Sequence, residues 1–166
     1  MKKILVILSV IIIVSCQKNV DEKTKLFLES VDKVKLYTYP SRTTWDEKDK
    51  NTISEIKFEK GKLIFDKTKV VDSLVLTNEQ KDKIYTILLD TKWEENGMIA
   101  TCYEPRHLFS FYKNEKVIGY YEVCLECGGH ECSKELENLP MFCIEKGEEM
   151  QKIFKGFKLK NIVEER

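Results

Sequence analysis

The segment HLFSFYKNEKVIGYYEV, residues 107–123, constrains the fold more than any other part of this chain. Two aromatic-rich runs flank Asn114-Glu115, which reads as a two-residue hairpin turn. With that turn, Phe109, Phe111, Ile118 and Tyr120 share one face of the ribbon. Leu108, Tyr112, Val117 and Tyr121 share the other. A strand pair with one apolar face can lie against a core and show its back to water. Apolar residues on both faces call for cover on both sides, so the hairpin is expected at the centre of a sheet.

Other local signals fit around it. Val34–Tyr39 alternates weakly and stops at Pro40, as a strand does. In ISEIKFEKGKLIF, a turn at Lys60-Gly61 sets Phe58 opposite Leu63 and Ile56 opposite Phe65. Thr77 followed by Gln80 is a capping-box start, and Ile84, Ile87 and Leu88 then fall on one helical face as far as Asp90. Met150, Ile153, Phe154 and Phe157 recur at helical spacing, predicting a second helix from about Glu145 to Lys155. The expected fold class is α+β: one domain, an antiparallel sheet built from hairpins with two helices packed on it.

The N-terminus, MKKILVILSVIIIVSCQKNV, has two lysines and then an apolar run from Ile4 to Val14. That run is short for a transmembrane helix and suits an export signal. It ends in Ile13-Val14-Ser15-Cys16, which resembles the lipobox of bacterial lipoproteins: apolar at −3, small at −1, then cysteine. The resemblance implies a signal peptide over residues 1–15 and lipidation of Cys16. Residues 16–25 then form a polar, lipidated tether, and 26–166 form the domain. Gln17, with no aspartate after the cysteine, points to the outer membrane of a Gram-negative bacterium. The expected partners are the membrane, through the N-terminal lipid, and an envelope partner or ligand. Loss of Lys2 and Lys3 with the signal leaves 26 basic against 28 acidic residues, which gives no electrostatic case for nucleic acid.

Five cysteines follow Cys16, three of them in CLECGGHEC, residues 124–132. The hairpin register places Cys102 level with Cys127, although Pro105 interrupts strict pairing. Three chemistries fit. In an oxidising compartment the cysteines pair: Cys102 with Cys124 or Cys127 across the open end of the hairpin, and Cys132 with Cys143. Alternatively, Cys102, Cys124 and Cys127, with His130 or Cys132, could ligate zinc; without this metal no cofactor is expected. In the third, Cys124-x-x-Cys127 is a redox pair whose thiolate is supported by Arg106 and His107. Cys102 and His107 also form a nominal nucleophile–base pair, but no orienting group or oxyanion hole accompanies them. No catalytic residue is therefore assigned. Arg106 is equally suited to bridging a carboxylate such as Glu104 or Glu122.

The stretch Thr101-Cys102-Tyr103-Glu104-Pro105-Arg106-His107, the aromatic strand after it, and Val123-Cys124-Leu125-Glu126-Cys127 are similar to a family of small uncharacterised lipoproteins, chiefly of Bacteroidetes. That family carries a Cys-x-x-Pro-Arg-His/Asn stretch, a second-strand Cys-x-x-Cys and a helix start like Leu76–Gln80. The resemblance spans roughly residues 74–128 and implies no catalytic role. The expectation is a lipid-anchored envelope protein with a non-enzymatic binding or structural role, metal binding and thiol redox being the alternatives.

Overall fold

A computed structural model describes residues 20–46 and 53–159, so the signal segment and Cys16 lie outside the described residues. The chain is α+β. In order it forms α1 (Glu22–Glu29), β1 (Lys33–Thr38), β2 (Lys57–Glu59), β3 (Lys62–Ile64), β4 (Asp72–Val75), α2 (Asn78–Leu89), β5 (His107–Lys113), β6 (Lys116–Val123), β7 (His130–Cys132) and α3 (Ile144–Gly156). Five strands make one antiparallel sheet in the order β4-β1-β5-β6-β7, and β2-β3 is a separate hairpin. Among the described residues no helix is long and apolar enough to cross a membrane.

The sheet is covered on both sides, as two apolar faces require. One face meets the helices in a core that includes Leu36, Ile84, Leu88, Phe109, Phe111, Tyr121, Val123, Met150 and Phe154. The opposite face carries a smaller core of Tyr39, Trp45, Ile56, Leu108 and Tyr120, against which Phe58, Leu63 and Phe65 of the β2–β3 hairpin pack. The Lys60-Gly61 and Asn114-Glu115 turns both place their two residues at positive φ, the backbone twist that a two-residue hairpin loop needs. Phe58 faces Leu63 as the sequence predicts. The capping box forms in full: Thr77 Oγ1 accepts from the Gln80 amide at 3.2 Å, and Gln80 Oε1 accepts from the Thr77 amide at 2.9 Å.

The facing of β6 differs from expectation. Tyr112 pairs with Val117, but Phe111 pairs with Gly119, so a bulge takes up one residue. Beyond it every side chain is reversed relative to an unbroken ladder. Tyr121, not Tyr120, joins Phe109 and Phe111 against the helices, while Tyr120 and Glu122 turn to the opposite face. Gly119 fits the crowded side of the bulge, because a Cβ there would stand 2.8 Å from the Phe27 ring of α1. That first helix takes in the last residues of the segment read as a tether. Asp21 caps it through the Thr24 amide at 3.1 Å, and Thr24 and Leu28 are buried.

Candidate functional site

The stretch CLECGGHEC is a turn and a returning strand. β6 ends at Val123. The Cys124 amide donates to the Gly129 carbonyl at 2.9 Å and the Gly128 amide to the Cys124 carbonyl at 3.0 Å, closing a compact turn. His130–Cys132 then runs back beside β6 as β7, with His130 opposite Val123 and Cys132 opposite Tyr121. The tight turn brings the α-carbons of Cys124 and Cys127 to 5.5 Å, a separation that suits a disulfide, and the two are bonded. Both are buried, at 2% and 0% exposure.

Helix α3 lies directly on this turn. Gly128 has φ +68° and packs against the backbone of Cys143 and Ile144, where a Cβ would come within 2.6 Å. Gly147, in the first turns of α3, sits over the Leu125 carbonyl; a Cβ there would be 2.0 Å from its oxygen. The 98–100 segment is tied into the same place. The Ala100 amide donates to the Cys127 carbonyl at 2.9 Å, and Ile144 donates to Met98 at 2.8 Å. Lys146 is buried beside them, its Nζ 3.5 Å from the Leu88 carbonyl. Burial lowers its pKa, because the charged ammonium loses water.

The predicted pairings are therefore corrected. Cys124 bonds to Cys127 rather than either bonding to Cys102, and Cys132 is not bonded to Cys143. The hydrogen-bonded turn holds the two near cysteines together, whereas Cys102 lies exposed on the loop before β5. Cys132 is half-buried and Cys143 is buried at the N-terminus of α3. Burial, then the carboxylates of Glu137, Glu131 and Glu135, push the Cys132 thiol up to about 11. Burial also raises the Cys143 thiol, partly offset by the Lys146 amide.

The suggested zinc ligands do not converge: among the described residues no three or more His, Cys, Asp or Glu side chains form a metal-sized group. His130 stacks on Tyr121, ring centroids 5.1 Å apart. His130 is exposed at the start of β7; partial loss of water against that ring, then the Lys146 charge, lowers its pKa. His107 faces the helix side, 5.1 Å from the Phe154 ring and 1% exposed, away from any solvent-borne substrate. Arg106 pairs with Glu104 at 3.2 Å and with Glu126, not with Glu122.

The partner of Glu122 is Arg42, a residue the sequence reading passed over. Glu122 has no exposed surface, and the Arg42 side chain is 2% exposed. Arg42 Nε donates to Oε1 at 2.8 Å and Nη2 to Oε2 at 2.5 Å, a two-pronged pair. Tyr39 donates to Oε1 and Tyr103 to Oε2, the latter at 2.9 Å. Arg42 also reaches Glu131 at 2.8 Å and the Ser54 carbonyl. Burial raises the Glu122 pKa, with Arg42 and the two tyrosines pulling against it. Burial alone would lower that of Arg42, but Glu122 holds it above its ordinary value. The signal available in the sequence was a single carboxylate, Glu122, inside the otherwise apolar GYYEVC run. Both Glu122 oxygens are filled and shielded from water, so the cluster fastens the β1–β2 and α2–β5 loops to the sheet.

The chain matches no protein-family model, no curated protein and no solved structure.

Proposed function

We propose that this is a lipid-anchored cell-envelope protein, held through Cys16, with a non-enzymatic binding or structural role in which the cysteine-rich stretch acts as a staple. The observation that carries the staple is the burial of both bridged sulfurs under α3. A redox disulfide must be reached by an attacking thiolate, and a buried one offers no approach. The anchor is supported by the lysine-led apolar leader ending in Val14-Ser15-Cys16 and the absence of aspartate at position 17, which favours the outer membrane. Several acyl chains would hold such a protein firmly where one would not.

Two measurements test the reading. Cells expressing the full chain are labelled with radioactive palmitate and fractionated. Label on the wild type in the outer-membrane fraction, and none on Cys16→Ser, is expected; an unlabelled wild type overturns the anchor. Native mass spectrometry of the exported protein, prepared without chelator, tests the staple. A mass two hydrogens below the all-thiol value with no adduct is expected. An all-thiol mass with one acid-labile metal would instead establish the zinc alternative.

A further inference from the structure

The outer face of the sheet is only partly covered by the β2–β3 hairpin. Between that hairpin and the strands β1, β5 and β6 lies a groove of about 400 Å³, a size in the range of small-ligand sites. Its floor is aromatic. Tyr37 and Tyr112 are half-buried neighbours whose hydroxyls stand 3.4 Å apart, and Phe65 packs edge-on against Tyr37 at 5.3 Å. Its edges are basic. Lys35 Nζ sits 4.7 Å from the centre of the Tyr37 ring and Lys33 Nζ 4.8 Å from that of Tyr112. Lys62 and Lys67 line the hairpin side. Glu115 is the acid at the groove, and it is paired with Lys33 at 2.5 Å. Among the described residues, no carboxylate pairs with Lys35, Lys62 or Lys67. Four lysines and one glutamate stand at or beside the groove, with Glu59 opposite Lys62 across the hairpin and Asp66 next to Lys67 in the chain.

We propose that this groove binds an acidic saccharide, with Tyr37 and Tyr112 as the stacking floor and Lys35, Lys62 and Lys67 as partners for its carboxylates. The negative face of an aromatic ring attracts the polarised C–H bonds on the flat side of a pyranose as it attracts an ammonium. A neutral ligand stacking here would displace the ammonium groups from the rings without replacing their partner. A carboxylated sugar keeps them, exchanging a ring contact for a charge-assisted hydrogen bond. The tyrosine hydroxyls add donors and acceptors suited to sugar hydroxyls. The proposal deepens the binding role given above and rests on the envelope location only for where such a ligand would be met.

The test is calorimetric titration of the full chain, in non-ionic detergent, with digalacturonate and with neutral galactobiose. The titration does not depend on Cys16, so its failure is separable from failure of the lipid anchor. Saturable binding of digalacturonate is expected, with the neutral disaccharide bound at least about tenfold more weakly and with affinity falling as salt is raised. Lys67→Glu, at an exposed position, should weaken binding about tenfold with an unchanged melting temperature. Tyr37→Ala should abolish it. The proposal is overturned by absence of saturable binding, by equal affinity for the neutral sugar, or by an unchanged affinity of Lys67→Glu. Binding to anionic phosphatidylglycerol vesicles but not to digalacturonate would likewise overturn it and make the face a membrane contact.

Discussion

Arg42 and Glu122, eighty positions apart in sequence, meet as a fully buried two-pronged ion pair on the face of the sheet opposite the helices. The pair fixes the loop after β1 to the middle of the sheet. It also draws in Tyr39, Tyr103, Glu131 and the Ser54 carbonyl. Removal of one member leaves the other charged and dry. Arg42→Met is expected to lower unfolding stability by about 3–5 kcal/mol, read from the urea midpoint. The double variant Arg42→Met/Glu122→Leu should recover part of that loss, because no orphan charge is left. A double variant weaker than Arg42→Met by the full cost of a second deletion would show that the two act independently.

The Cys124–Cys127 bridge closes a loop of only a few residues. Chain-entropy loss from so short a loop amounts to about 2 kcal/mol, the lower part of the usual range. Cys127→Ser should therefore cost about that much, read as a shift of the urea midpoint. A loss near 5 kcal/mol would mean that the turn itself collapses.

Gly147 lets α3 settle on the Leu125 carbonyl. Gly147→Ala should destabilise by about 1–3 kcal/mol as the helix is pushed off the turn. Gly156, at the end of the same helix, has nothing within 4 Å of an added Cβ. Gly156→Ala should be neutral or stabilising by about 0.5 kcal/mol. Thermal melts of the two variants side by side distinguish close approach from helix propensity.

Thiol labelling should rank the three free cysteines among the described residues by access. Exposed Cys102 reacts first with iodoacetamide, and buried Cys143 reacts only on unfolding. Cys132, with its thiol at about 11, should gain rate roughly tenfold per pH unit up to that value. The linked effect on stability has a fixed sign. The native state favours the protonated thiol, so this contribution is complete below pH 9 and is lost as pH rises through about 11. His130 works at the other end: its lowered pKa makes stability fall as pH drops below its ordinary value of 6.5. Peptide mapping of alkylated samples and a pH series of melting temperatures check both.

Signals confined to a few neighbouring residues were legible in the sequence. The Lys60-Gly61 turn with its Phe58–Leu63 pair, the Thr77–Gln80 box and the Met150–Phe154 stripe all depend on local backbone chemistry and periodicity. Short strands without a local turn signal were not. β4 and β7 have four and three residues, too few to show a period, and each exists because a neighbouring strand supplies hydrogen bonds. The bulge at Phe111/Tyr112 was equally silent, since nothing local marks the extra residue except a glycine crowded by Phe27 of α1 and by Ser133.

The sequence by itself determined that both sides of the central hairpin must be covered and therefore that an α+β fold forms around an antiparallel sheet. Alternation of apolar residues is a property of the strand and needs no partner to be read. Only the tertiary structure decided which distant residues meet: Arg42 rather than Arg106 with Glu122, and Tyr121 rather than Tyr120 against the helices. Each of those choices follows from the competition of several eligible partners for one place. That competition is settled by the packing of segments distant in sequence, and composition and spacing carry no record of it.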